Sequence, residues 1–148
     1  MSSTGLEVFD KTIQETSIWL KRIMEQMETD DRHVAYTALK AVGHALRDRI
    51  GPENAAHLGA QLPMLVRGVF FEGWHISGTP TKERHKKQFL DHVRADLPET
   101  VNAEQATKAV FGVIWEKVDP GEVSKVIRMF PSTMRELWPI SLDEERRA

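Results

Sequence analysis

Phe9, Ile13, Thr16, Leu20, Ile23 and Met27 follow one another in steps of four, three, four, three and four residues. That alternation tracks one side of an α-helix and predicts a helix over residues 6–28 with an apolar seam. Thr29-Asp30-Asp31 then offers cap residues for a second helix, residues 31–50. Leu39, Val42 and Leu46 form its stripe, and Ala38, Ala41 and Ala45 form a flank where another backbone can come close. Gly51-Pro52 ends this helix and begins the next, with glycine past an end and proline inside a start. A third helix over 53–61 presents Ala55 and Leu58. Pro63 follows, and inside a helix it would cost ~3 kcal/mol, so a break is predicted there. A short fourth helix, 63–72, carries Leu65, Val66, Val69 and Phe70.

The stretch GWHISGTPTKERHKK interrupts this pattern with glycine, proline, threonine and charge, and reads as a linker. The pattern then restarts. Phe89, Leu90, Val93 and Leu97 predict a helix that closes at Pro98. Asn102 and Gln105 have the spacing of a capping box ahead of Ala106, Ala109, Val110, Val113 and Ile114. Asp119-Pro120 opens a helix with Val123, Val126 and Ile127. Phe130-Pro131 breaks it, residues 132–138 form a last short turn or two, and residues 140–148 read as a frayed tail. Sustained strand-like alternation occurs nowhere.

The second half echoes the first. Trp19, Leu20, Ile23 and Met27 correspond to Phe89, Leu90, Val93 and Leu97 at a shift of seventy. Leu58, Leu62, Pro63 and Arg67 correspond to Val126, Phe130, Pro131 and Arg135 at sixty-eight. The shift changes where turns fall, as differences in loop length require. A unit of half this size buries too little surface to be secure alone, and two copies can cover each other. The expected fold is all-α, with about eight helices as two tandem four-helix repeats of approximate internal symmetry. They form one domain over 1–148: first repeat 6–74, linker and start of the second 75–88, second repeat 89–139.

HALRDRI, AAHLGAQLPMLVRGVFFEGW and FPSTMRELWP make the chain resemble the bacterial family called domain of unknown function 2267, from about Phe9 to Trp138. The resemblance implies a small helical protein and brings no activity, cofactor or catalytic residue to these positions.

Composition narrows the chemistry. The net charge of −2 gives no general attraction to nucleic acid or anionic membrane. With no cysteine, disulfides, thiolate zinc sites and cysteine nucleophiles are excluded. The N-terminus lacks a secretory pattern, and no apolar run reaches the ~20 residues of a membrane span, so a cytoplasmic protein is expected.

Arg67 and Arg135 are the leading candidate pair, each one turn after a proline on an apolar helix. A guanidinium keeps its charge anywhere and forks onto carboxylate or phosphate. One reading is an anion site between the halves. The other, favoured because the arginine recurs, is an internal brace, with Asp48 and Glu116 as partners. His44, Arg47 and Asp48 lie within about one turn, and a histidine beside a carboxylate is a general-base arrangement. No nucleophile adjoins them, and the second copy has Trp115 near the place of His44, so no catalytic residue is assigned. None of His33, His44, His57, His75, His85 and His92 forms a close ligand pair, so neither a metal nor a cofactor is expected. Lys82, Arg84, Lys86 and Lys87 make a basic run without interleaved aromatics, which reads as a solvated linker rather than a nucleic-acid groove. Phe71, Trp74 and His75 mark a surface for a partner, because adjacent Phe70 and Phe71 cannot share one helix face.

These features favour a non-catalytic interaction or regulatory module, most simply a homodimer or a binder of another protein. The alternative is a small anionic-ligand binder or cofactor-free enzyme with its site where the halves meet.

Overall fold

The computed structural model describes residues 2–141, and all regular structure within them is helical. The seam of the first helix folds as α1, Glu7–Met27. Its end turns through Glu28, whose φ of 55° lies in the left-handed region. Asp31 then caps α2, Arg32–Ile50, accepting from the backbone N–H groups of His33 and Val34. Gly51 turns the chain with φ 84°, and Pro52 opens α3, Pro52–Gly59. Pro63 separates α3 from α4, Met64–Phe71.

The second half contains α5 (Lys86–Arg94), α6 (Ala103–Lys117), α7 (Pro120–Arg128) and a closing 3-10 helix, Ser132–Leu137. Two starts are capped as the sequence predicts, with Asn102 accepting from Gln105 N–H and Asp119 from Glu122 N–H. The Asn102 box is half formed, because the Gln105 side chain donates instead to the Met27 carbonyl. Helix α5 begins inside the basic run, earlier than Phe89. There the Gln88 carboxamide accepts from the Arg84 and His85 N–H groups and fixes the first turn. Ile140 packs against the core, and the rest of the predicted tail, residues 142–148, lies outside the described residues.

Helices α2 and α6 pack on each other at the centre. Against them, α1 lies on α2 and α6, and α5 lies on α6 and α2. Helix α4 covers α1 and α2, the 3-10 helix covers α5 and α6, and α3 meets α7. The buried faces are those of the predicted stripes: Leu39, Val42 and Leu46 on α2, and Val110, Val113 and Ile114 on α6. The alanine flank, Ala38, Ala41 and Ala45, is buried as well.

The core holds a small void. Trp19, Leu39, Gly43, Leu58, Phe70 and Val110 surround an apolar void of about 10 Å³. That is at the lower limit for one water, and the lining gives a water no partners. A methyl on Gly43 would sit 3.6 Å from the Phe70 ring, an ordinary contact. Gly43→Ala is therefore expected to stabilise the protein by about 1 kcal/mol, from helix propensity and added contact. Urea unfolding measures it, and a neutral or destabilising result would mean that Phe70 cannot accommodate the methyl.

Candidate functional site

The two arginines that the sequence singles out occupy equivalent positions. Helix α3 ends just before Pro63 and α7 just before Pro131, leaving C-terminal carbonyls without helical partners. Arg67 Nε donates to the Gly59 carbonyl at 2.9 Å, and its Nη2 donates to Leu62 at 3.0 Å and Ala60 at 3.4 Å. Arg135 Nε donates to the Phe130 carbonyl at 2.7 Å, and its Nη2 to Arg128 at 3.4 Å. At the shift of sixty-eight, Ala60 matches Arg128 and Leu62 matches Phe130. Both guanidiniums thus sit at the negative end of the preceding short helix. Neither expected carboxylate takes part. Asp48 is held by Arg47, and Glu116 bonds Arg22 of α1 with Nε to Oε2 at 3.0 Å. The reason is reach: each arginine starts one turn beyond its proline, and the loose carbonyls lie directly behind it.

The structure brings Arg47 and Asp48 together, while the His44 ring makes its hydrogen bond to α4 instead of to Asp48. His44 Nε2 lies 2.7 Å from the Val69 carbonyl, which only accepts, so that nitrogen carries the proton. Burial lowers the His44 pKa, the Val69 bond opposes this, and Arg47 and Lys40 push it lower again. The ring is a neutral strut between α2 and α4. Arg47 is buried, with Nε on Asp48 Oδ1 at 2.9 Å and Nη1 on the Phe70 and Glu72 carbonyls at 3.1 Å each.

The aromatics near the end of α4 are largely engaged within the fold. Phe71 lies against Gly59, where a Cβ would come within 2.5 Å of the ring. Phe71 stacks on Trp74 at 5.4 Å, and the Arg47 guanidinium carbon lies 5.5 Å from the Trp74 ring centre. His75 is exposed. Trp74 is half-buried, whereas Trp138 is buried and stacks on Phe111.

A further cluster escaped the sequence reading. His92, on α5, places Nδ1 2.7 Å from Glu83 Oε1 and Nε2 3.6 Å from Asp48 Oδ2. It joins α2, the loop between the halves, and α5. Glu83 and His92 lie nine residues apart with a turn between them, so no local spacing signals the contact. Among the described residues, no group of three or more side chains has the arrangement of a metal site.

A family model described as an uncharacterized conserved protein, DUF2267, matches residues 16–137. The chain belongs to the DUF2267 family. No functionally curated protein matches it.

The DUF2267 match leaves out the first two turns of α1, and these turns differ from the rest of the seam. Thr16 and Leu20 are partly covered and Ile23 and Met27 are buried, yet Phe9 is 45% exposed and Ile13 42%. The sequence predicts one continuous seam, and only its second half is covered. Thr12 is buried and accepts from Leu65 N–H at 3.0 Å, which sets the start of α4 against these turns. Leu6, Met64 and Leu65 are exposed around that contact. An open cleft of about 300 Å³ lies farther along α1, bordered by Ile18, Trp19, Gln61, Pro63 and Lys117. None of the candidate residues from the sequence lines it.

Proposed function

We propose that this DUF2267 protein is a non-catalytic, cytoplasmic interaction module that pairs with a second copy of itself. The contact is the exposed half of the α1 seam together with the start of α4, in place of the Phe71–Trp74 surface. The observation that carries this reading is that Leu6, Phe9 and Ile13 continue a covered helical seam into solvent beside exposed Met64 and Leu65. Together they expose on the order of 400 Å² of clustered apolar surface, the size of the largest patch on a typical monomer, and such a patch is often functional. A standard interface buries about 800 Å² per partner, so this cluster with its polar rim is of the right size. The four-three alternation is the pattern that takes another helix knob into hole, and a two-fold axis lets identical half-seams cover each other antiparallel. Glu7, Asp10 and Glu15 outnumber Lys11 along these turns, so the rims repel and added salt strengthens pairing.

Two supports bear on the rest of the reading. The guanidiniums of Arg67 and Arg135 are engaged by backbone carbonyls, which favours a brace over an anion site. Exchanging α1, α2, α3 and α4 with α5, α6, α7 and the 3-10 helix maps the main packing pairs onto one another, which favours an internal duplication.

Sedimentation equilibrium tests the pairing. The wild-type chain is expected to be dimeric at tens of micromolar, and Ile13→Glu monomeric with unchanged helicity, since Ile13 supports little of the fold. A monomeric wild type, or a dimer that survives Ile13→Glu, overturns the reading.

A further inference from the structure

The loop between α4 and α5 is pinned to both halves. Thr81 N–H donates to the Asp48 carbonyl at 2.8 Å, and Arg49 Nε donates to the Glu83 carbonyl at 3.0 Å. Pro80 packs over Gly51. On the far side, the Thr133 hydroxyl donates to the Arg84 carbonyl. These backbone ties do not titrate. The side-chain tie does. The Glu83 side chain is 11% exposed and projects inward from the loop, and His92 stands between it and Asp48. The Glu83 Oε2 and Thr81 Oγ1 atoms are buried without a partner of hydrogen-bonding geometry, so His92 is the principal partner of the Glu83 carboxylate.

We propose that His92 is the clasp of a pH-responsive joint: protonated, it binds Glu83 of the loop and Asp48 of α2 at once, and deprotonated, it loosens the loop around Thr81 and Glu83 while the backbone ties remain. A neutral imidazole has one N–H and serves one carboxylate only. Two negative groups then face each other across an uncharged ring, one of them in a buried site where an unbalanced charge is costly.

The other charged groups around the ring set the direction of the response. On α2, Arg47 holds Asp48 and Arg49 holds the Glu83 carbonyl. Just past the end of α5, Asp96 adds a third negative influence, while on α5 Asp91 pairs with Lys87 and Arg94. Lys86 is tied to Glu104 and Glu136. The bond to Glu83 raises the His92 pKa, burial opposes this, and the charges of Glu83, Asp48 and Asp96 raise it again. A group whose pKa is higher folded than unfolded contributes its stability below the unfolded value. That contribution is lost as pH rises through the folded value. The clasp is therefore closed below about pH 6.5 and opens as pH climbs through the raised value of His92. On the acid side, burial raises the Glu83 pKa, but His92 and the neighbouring Thr81 hydroxyl outweigh it and leave it lowered. The clasp thus persists until pH falls through that lowered value.

Amide hydrogen exchange by NMR, corrected for the intrinsic pH dependence, tests this from about pH 5.5 to about pH 8.5. Protection of the Thr81 amide is expected to fall about tenfold, in step with deprotonation of the His92 ring. The Val42 amide, buried in α2, serves as the global reference and should not follow. In His92→Gln the Thr81 protection should be low and flat with pH. In Glu83→Gln the wild-type loop ties remain and the His92 titration moves to lower pH. The proposal is overturned if Thr81 protection is flat while His92 titrates, if the fall persists in His92→Gln, or if His92 titrates below the ordinary histidine value. None of these readings depends on the oligomeric state.

Discussion

Phe111→Ala is expected to destabilise the protein by about 3–5 kcal/mol. Phe111 is fully buried on α6 and stands at the middle of a four-ring cluster. Its ring centre lies 3.9 Å from Trp138, 5.8 Å from Phe130 and 6.0 Å from Phe89. Those rings come from the residue after the 3-10 helix, the turn that follows α7 and the middle of α5. None of these elements exceeds nine residues, and helices shorter than about 12–15 residues are marginal without tertiary support. The cluster supplies that support, so truncating its central ring leaves a cavity that three short elements share. Phe111→Leu keeps most of the apolar volume and loses the stacking geometry, for a cost below about 1.5 kcal/mol. Chemical unfolding should show one shifted transition rather than two, because α2 packs on both α5 and α6. Two separated transitions, or an alanine variant within about 1 kcal/mol of wild type, would contradict this account of the second half.

The difference between the halves explains what the sequence disclosed. Helix starts were legible where one residue type does one job: Asp31, Asn102 and Asp119 as caps, Pro63 and Pro131 as breaks. The buried stripes of α2 and α6 were legible because both helices are covered on most sides. The seam of α1 misled at Phe9 and Ile13, since periodicity reports which residues share a face and not whether anything covers it. Arg67 and Arg135 were legible as a recurring pair, but their partners are carbonyls, which every residue carries and no sequence pattern marks. The Asp48–Glu83–His92 contact depends on how a loop folds back over α2, and loop paths carry the weakest local signal in the chain. Helix α5 started early for a similar reason. The Gln88 side chain turns back on the loop and fixes the first turn inside a run that reads as a solvated linker.

Arg47→Ala should be comparably damaging, at about 3–5 kcal/mol, through charge rather than volume. Only 5% of the Arg47 side chain is exposed. Its guanidinium closes the end of α4 by donating to two carbonyls, those of Phe70 and Glu72, and it balances Asp48. Its flat face also lies beside the Trp74 ring. Removing it leaves two carbonyls without their donor and a carboxylate with only His92 nearby. Stranded polar groups of this kind cost more than the intact pair contributes. Arg47→Lys preserves the charge and separates the two effects. An ammonium on a flexible stem cannot hold Asp48 Nε-fashion and two carbonyls with one planar fork, so it should recover part of the loss and no more. Arg47→Met with Asp48→Asn removes both charges together and should be milder than Arg47→Ala alone, because no ion is left unbalanced. Urea midpoints for the three variants decide the matter. If Arg47→Ala costs less than about 1 kcal/mol, water reaches the end of α4 and the arginine is not its cap. If the double variant is the worst of the three, Asp48 stabilises the fold through another partner, His92, rather than being left as an unbalanced charge when Arg47 is removed.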